Sequence, residues 1–167
     1  DWQGEKLVVN AFAGTGKTST LVKYAEKHPE LRMLYIAFNR SVREEADENF
    51  PANVLCQTSH QLAWPGFGRN YANRLTHSLR LFDIANATQS DDWVYVKAIQ
   101  DTLKNFMCSV DSQIMLRHCP SILMGEVKKS FTANDVVIQS ERLWHRMIDL
   151  ADNFPVIHDM YLKLYQL

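Results

Sequence analysis

The sequence predicts an α/β fold in which a parallel sheet is joined to a mostly helical segment. Short apolar runs alternate with helix-compatible stretches over residues 6–62, and this βαβαβ order is typical of a parallel sheet. After the turn-forming residues 64–68, helical periodicity takes over. With 167 residues, 46% of them hydrophobic, the chain is long enough to bury an ordinary core.

The α/β part is predicted to contain three strands and two helices. The strands are expected over residues 6–10, 33–38 and 53–57. The second of them is a continuous apolar run, which suits a parallel strand that is buried on both faces. The helices are expected over residues 17–27, where Leu21, Val22 and Ala25 share a face, and from Val42 to about Asn49. Ser41, with Glu44 three residues later, predicts a capping box at the start of the second helix.

The helical part is predicted to contain helices over residues 91–106, 139–153 and 156–167. The first has apolar side chains at helical spacing, namely Trp93, Val96, Ile99, Leu103 and Phe106. Residues 109–138 are less informative, because residues 112–116 and 136–138 fit either short strands or turns.

Composition excludes several broad classes of protein. The net charge of −1 gives no overall attraction for nucleic acid, so any such binding has to be local. The three cysteines have no paired spacing, and an odd number argues against a disulfide framework. No apolar run reaches membrane-spanning length, so we expect no membrane association.

Residues 11–18, Ala-Phe-Ala-Gly-Thr-Gly-Lys-Thr, fit the phosphate-binding loop G-x-x-x-x-G-K-[ST], with Ala11 in place of the first glycine. Backbone N–H groups near the second glycine can cradle phosphate oxygens, and the following helix adds the positive end of its dipole. Lys17 would reach the β- and γ-phosphates, and the Thr18 hydroxyl would ligate Mg²⁺. The predicted nucleotide site is Ala13, Gly14, Thr15, Gly16, Lys17, Thr18 and Ser19. The alternative is a glycine-rich turn that only joins a strand to a helix.

Polar residues also follow the other two predicted strands. Ligands of open parallel sheets bind beyond the carboxyl ends of the strands, where residues 38–41 and 58–60 would lie beside the phosphate loop. Helix capping is the simpler role for Asn39 and Ser41. On the residues alone, His60 is most simply a partly buried histidine with its hydrogen bonds satisfied.

Residues 62–82 interleave arginines with aromatic residues and contain no acidic residue. These side chains are Arg69, Arg74, Arg80, Trp64, Phe67 and Tyr71. Such a mixture suits single-stranded nucleic acid, because bases stack on rings and guanidinium groups pair with phosphates. The alternative is a solvated basic face whose aromatic residues lie in the core.

An ATPase with a phosphate loop also needs an acidic residue at the end of a second apolar strand. The sequence offers no such segment, so we expect this chain to bind nucleotide without hydrolysing it. Two other functions stay open at this point. One is a small-molecule kinase whose helical segment closes over the acceptor, and the other is a non-catalytic module that binds ATP and DNA.

Three segments resemble motifs of superfamily 1 DNA helicases of the UvrD/Rep type. Residues 11–18 look like motif I, residues 34–41 like motif Ia and residues 58–63 like motif Ib. Within that family the sequence is most similar to the branch whose members also carry an F-box, above all over residues 11–25 and 158–167.

The resemblance implies a RecA-like P-loop NTPase sheet, incomplete in this chain, with a mostly helical inserted subdomain. Residues 1–63 would be the first part of the ATP-binding domain, residues 64–154 the insertion, and residues 155–167 a helix returning to the sheet. The Mg²⁺-binding Asp-Glu segment of the family is then expected beyond Leu167, so we expect the chain to be a piece of a longer protein.

The resemblance further implies an ATP-dependent 3′–5′ DNA helicase or translocase that acts on single-stranded DNA in recombination or repair. Lys17 would be catalytic, and ATP and Mg²⁺ would be the cofactors. Together with the basic segment, the motifs give the predicted DNA contacts Phe38, Asn39, Arg40, Thr58, His60, Trp64, Arg69 and Arg74. Ser59 stands where the family often has an aromatic residue. The F-box branch implies a nuclear protein that joins a ubiquitin-ligase complex through an F-box not found in this chain.

Overall fold

In the computed structural model, which describes residues 8–10, 12, 14–121 and 130–167, the chain divides into two units between Ser59 and His60. We call residues 1–59 the sheet unit and residues 60–167 the helical unit. The sheet unit contains α1 (Lys17–Lys27), β1 (Met33–Ala37), α2 (Arg40–Asn49) and β2 (Val54–Thr58), and α3 (Ser59–Ala63) spans the division. The helical unit contains a 3-10 helix (Gly68–Arg74), β3 (Leu75–Thr76), α4 (Leu81–Thr88), α5 (Trp93–Met107), a second 3-10 helix (Leu116–His118), α6 (Ala133–Ile148), β4 (Val156–Ile157) and α7 (His158–Gln166).

β1 and β2 are parallel, as the sequence predicts, and their register runs from Met33 opposite Val54 to Ala37 opposite Thr58. One face of this pair is covered, since Ala37 and Cys56 are buried and the Tyr35 ring packs 4.9 Å from that of Phe50. The other face carries the exposed side chains of Leu34, Ile36 and Leu55, with exposed fractions of 45%, 57% and 58%. The expectation that the apolar strand is buried on both faces is therefore wrong for the described residues, because no described element covers this second face.

The first predicted strand, over residues 6–10, is not formed in the part of it that the structure describes. Residues 8–10 belong to no strand, and Val8 and Val9 are exposed, whereas residues 6 and 7 lie outside the described residues. An apolar run becomes a strand only when a neighbour pairs with it, and no described residue pairs with this one. The helix predicted over residues 17–27 is confirmed as α1.

The cap of α2 differs from the prediction. Asn39 is the N-cap residue, and its side-chain oxygen accepts a hydrogen bond of 2.9 Å from the Val42 N–H. Ser41 lies inside the first turn, and Glu44 accepts a hydrogen bond from Arg40 instead of closing a capping box. The Ser41–Glu44 box is thus wrong, because the helix begins earlier and the asparagine reaches the free N–H groups first.

The core of the helical unit is built around α5, which packs against α4, α6 and α7. The predicted apolar positions Val96, Ile99, Leu103 and Phe106 are all buried. Trp93, the other apolar residue at this helical spacing, is 55% exposed instead. It is the first residue of the helix, directly after the Asp92 cap, and lies before the turns that carry the core side chains.

α6 replaces two predicted elements. Thr132 caps it, because its hydroxyl accepts from the Asp135 N–H while the Asp135 carboxylate accepts from the Thr132 N–H. Residues 136–138, expected as a short strand or turn, are therefore helical, and the helix predicted over residues 139–153 begins and ends earlier. The predicted helix 156–167 is confirmed from His158 onward, but Val156–Ile157 pairs in parallel with Leu75–Thr76.

Candidate nucleotide and DNA site

The phosphate loop depends on two glycines. Gly14 and Gly16 have φ angles of 77° and 79°, in the left-handed region that side chains disfavour. Gly16 is the N-cap residue of α1, so the loop runs directly into the start of a helix. Its cap position carries no side-chain hydrogen bond, and the first turn of α1 contains no acidic residue. This terminus therefore presents backbone N–H groups and a positive dipole end, which together favour phosphate.

The side chains of the loop converge on one backbone oxygen. Lys17 Nζ and Thr15 Oγ1 each donate a hydrogen bond of 2.7 Å to the Phe12 carbonyl. Thr18 and Ser19 are exposed in the first turn of α1, where the sequence places the Mg²⁺ ligand and a further phosphate contact. Ala13, also a predicted nucleotide contact, lies outside the described residues. These assignments stay predictions, and the geometry places Lys17, Thr18 and Ser19 together at one helix end.

The carboxyl ends of β1 and β2 lie side by side, because Ala37 is opposite Thr58. The segments after both strands thus share one edge of the sheet, as predicted. Phe38 is 94% exposed, and Arg40 is exposed with its Nε 2.7 Å from Glu44 Oε1. Asn39 uses its side-chain oxygen to cap α2, which is the structural role weighed for it from the sequence. Phe12, at 88% exposure, is a second open ring in this unit that the motif pattern did not single out.

Arg74 has a structural role that the sequence did not reveal. Its guanidinium donates to the carbonyl oxygens of Arg146, Met147, Asp149 and Phe154. The same 3-10 helix contributes Tyr71, whose hydroxyl donates a hydrogen bond of 2.8 Å to the Ile148 carbonyl. The two side chains therefore satisfy the free carbonyls at the C-terminus of α6. A DNA contact by Arg74 stays a prediction, but most of its donors already bind backbone oxygens.

The three arginines of the basic segment have different surroundings. Arg69 is exposed on the 3-10 helix that follows α3. Arg80 is also exposed, but its guanidinium makes two hydrogen bonds, of 2.9 and 2.8 Å, to the Asp83 carboxylate. The carboxylate of Asp83 raises the pKa of Arg80 further, mainly through these hydrogen bonds. Arg69 is thus the arginine of this segment best placed to meet a phosphate.

Trp64 and His60 are both half-buried. The Trp64 indole lies against the backbone of Gly68, where an added Cβ would clash with Trp64 Cε3. Glycine is therefore required at position 68 for this placement of the indole. The His60 imidazole packs among aromatic rings of α7, and its Nε2 is buried without a hydrogen bond to any described residue. His60 is thus partly buried, as interpreted, but among the described residues its Nε2 makes no hydrogen bond and instead lies 3.4 Å from Asp159 Oδ1.

The described residues contain no group of three or more His, Cys, Asp or Glu side chains that could hold a metal ion. His118, beside Cys119 in the sequence, is buried, accepts from the Met115 N–H, and lies 2.8 Å from Asp111. Hydrogen bonds from Arg117 and then His118 lower the pKa of Asp111. All three cysteines are free thiols. None of the described helices combines the length and the apolar character that crossing a membrane requires.

The chain is similar along almost its entire length to proteins named as DNA helicases. It is 36% identical over 99% of its length to F-box DNA helicase 1 of Gallus gallus, of which it covers 18%. It is 32% identical over 98% of its length to F-box DNA helicase protein 1 of Schizosaccharomyces pombe, of which it covers 21%. The chain thus spans about a fifth of the length of these relatives. No family profile and no solved structure matches it.

These relatives confirm the resemblance to the F-box branch of DNA helicases that the motifs indicated. The α/β class with parallel pairing is confirmed as well, within the described residues. The RecA-like architecture, the division at residues 63 and 154, and the individual site residues stay predictions.

Proposed function

We propose that this chain is the ATP-binding portion of an ATP-dependent 3′–5′ DNA helicase or translocase that acts on single-stranded DNA in recombination or repair. The observation that carries the proposal is the loop in which left-handed Gly14 and Gly16 deliver Lys17 to the first position of α1. The similarity of the chain to relatives named DNA helicase, over 98–99% of its length, supports a nucleotide-driven motor over an incidental turn.

The loop residues would bind ATP in a defined way. N–H groups from about Gly14 to Thr18 would cradle the phosphates, and Lys17 would move its ammonium from the Phe12 carbonyl to the β- and γ-phosphate oxygens. The Thr18 hydroxyl would ligate Mg²⁺, which neutralises charge on the same oxygens when it is bound. Hydrolysis also needs a carboxylate that orients water, and the sequence offers no strand ending in one. We therefore expect the chain by itself to bind ATP without turning it over.

DNA would be contacted by residues of both units. Phe38 offers an open ring for base stacking and Arg40 a guanidinium for phosphate, while Thr58 ends β2 at the same edge. In the helical unit, Arg69 supplies an exposed charge close in sequence to His60 and Trp64. The mixture of rings and cations favours single strands bound with little sequence preference.

The longer parent protein would have further partners. The relatives carry F-box in their names, so we propose that the parent joins a ubiquitin-ligase complex through an F-box outside this chain and works in the nucleus.

The test is binding and hydrolysis of Mg-ATP by the chain, with and without single-stranded DNA. The variant is Lys17→Ala, and the matched control is Lys23→Ala, an exposed lysine of the same helix. We expect Lys17→Ala to abolish Mg-ATP binding by the chain and DNA-stimulated hydrolysis by the full-length parent, with Lys23→Ala unchanged. Equal Mg-ATP affinity in both variants would contradict the proposal.

The same assay separates the other functions. DNA binding that ignores nucleotide, in a parent that does not hydrolyse ATP, would indicate a non-catalytic module. Phosphoryl transfer to a small acceptor, unaffected by DNA, would indicate a kinase.

A further inference from the structure

The first turn of α7 packs against two aromatic side chains near the start of the basic segment, His60 and Trp64. The Tyr161 ring is edge-on to the His60 imidazole, with centroids 5.9 Å apart, and edge-on to the Trp64 indole at 5.6 Å. His158 adds a third contact, because its ring lies 6.1 Å from that of His60. Its Nδ1 is 2.9 Å from the Tyr161 hydroxyl, which fixes both rings. His60 and Trp64 are therefore positioned by α7 as well as by their own helix.

A carboxylate completes this arrangement. Asp159 Oδ1 lies 3.4 Å from His60 Nε2, the nitrogen that is hidden from solvent. The two side chains are half-exposed, at 44% and 40%, so the pair can form and break without disturbing the core. We call His158, Asp159 and Tyr161 the α7 platform.

The position of Asp159 is unexpected for a DNA-binding surface. A carboxylate next to a phosphate-binding histidine repels the ligand, so by charge alone its removal should strengthen binding. Asp159 is compatible with DNA binding if it acts on the histidine. The imidazolium form carries a proton on both ring nitrogens, so Nε2 can face a carboxylate while Nδ1 donates to a phosphate oxygen.

We propose that Asp159 is a positioning residue for single-stranded DNA, which holds His60 through Nε2 on the α7 platform and leaves Nδ1 to bind a backbone phosphate. The inference rests on the proposed function, because it assumes that the α3 surface meets DNA. It adds to that function a residue that lies in the similar segment 158–167 but that the sequence did not single out as a DNA contact.

The test is Asp159→Asn in the full chain, which removes the charge and keeps the size of the side chain. The control is Asp91→Asn, an exposed carboxylate just before α5. We expect Asp159→Asn to weaken binding to an oligothymidylate by about five-fold, the size of one half-exposed charge pair. Its salt slope should fall by about 0.7, the loss of one phosphate contact on a single strand. Asp91→Asn should leave affinity unchanged or raise it.

A double-mutant cycle shows whether Asp159 acts through His60. In a His60→Ala background, Asp159→Asn should have no further effect on DNA affinity. The imidazole ¹⁵N resonances of His60 should move in Asp159→Asn and stay in place in Asp91→Asn. Thermal unfolding of Asp159→Asn should match the unsubstituted chain.

The outcomes distinguish a failure of the proposed function from a failure of the role assigned to Asp159. If the unsubstituted chain does not bind the oligonucleotide, the proposed function fails and the inference falls with it. If it binds and Asp159→Asn binds equally well or more tightly, or if its effect adds fully to that of His60→Ala, the inference alone is overturned.

Discussion

The sheet unit and the helical unit bury very different side chains. Among the described residues of the sheet unit, the buried apolar ones are all small, namely Ala25, Ala37, Ala46 and Cys56. The helical unit buries large side chains such as Phe106, Leu103, Met147 and Tyr161. The unit with the phosphate loop thus has the weaker core, whereas the unit without it has a core of its own. The predicted nucleotide site and the larger buried side chains therefore lie in different units of this chain.

The largest expected effect compares one substitution in the two units. Leu103→Ala, at a position with no exposure, should cost about 2–5 kcal/mol of unfolding free energy, because it removes buried methyl groups and leaves a cavity. Leu55→Ala, at 58% exposure on the open face of the sheet, should change it by less than about 0.5 kcal/mol. Hydrogen exchange of peptides from each unit measures both values.

If Leu55→Ala destabilises β2 as strongly as Leu103→Ala destabilises α5, the face of Leu34, Ile36 and Leu55 is covered in solution. The contrast between the two units would then be wrong. Phe82→Ala, at 62% exposure in the helical unit, is the control for loss of an exposed apolar side chain.

Local patterns in the sequence predicted the elements that local forces decide. The spacing of apolar residues predicted the helix α5, in which Val96, Ile99 and Leu103 are buried. The apolar run over β1 predicted a parallel strand. Both patterns can be read from residues that are close in the sequence. Residues 8–10 form no strand, since pairing is a tertiary property. The phosphate loop was predicted from its motif, and its left-handed glycines agree with it.

The sequence could not predict side chains whose role depends on distant partners. Lys163 is 1% exposed, and its ammonium donates to the Ser109 and Asp111 carbonyls and lies 4.5 Å from the centre of the Phe106 ring. Burial lowers its pKa. A lysine in an amphipathic helix normally indicates a solvated face, and no neighbouring residue in the sequence marks Lys163 as buried. The structural role of Arg74 and the contact of Asp159 with His60 were not predicted for the same reason, because their partners lie about 80 to 100 residues away in the sequence.

A smaller effect should separate structural from DNA-binding arginines. Arg74→Met removes the donors to carbonyls at the end of α6 and should destabilise the helical unit by about 2–3 kcal/mol, since those carbonyls lose their partners. Arg69→Met, at an exposed position of the same 3-10 helix, should leave stability within about 0.5 kcal/mol and weaken binding to single-stranded DNA. Urea unfolding and anisotropy titration measure the two quantities. Unchanged stability with weakened DNA binding in Arg74→Met would instead support Arg74 as a DNA contact.

The smallest expected effect is a pH dependence confined to the helical unit. Burial, followed by the charges of His60 and His77, lowers the pKa of His158 from its ordinary value of 6.5. The unfolded chain therefore binds a proton more readily than the folded one, and stability rises with pH across this window. The stability that neutral His158 contributes is fully present above about pH 6.5, and it is lost as the pH falls through the lowered pKa of His158 in the folded state. Carboxylates with lowered pKa, such as Asp111 and Asp152, lose their contributions only below about pH 4.

Urea unfolding between pH 7.5 and pH 5 isolates this histidine when the unsubstituted chain is compared with His158→Gln. The amide can still bond the Tyr161 hydroxyl but does not titrate, so we expect the variant to lose less stability on acidification. Exchange of β2 peptides serves as an internal reference, because His158 belongs to the helical unit. An equal pH slope in both proteins would mean that protonation of His158 costs the fold nothing, and that the α7 platform tolerates a positive charge beside His60.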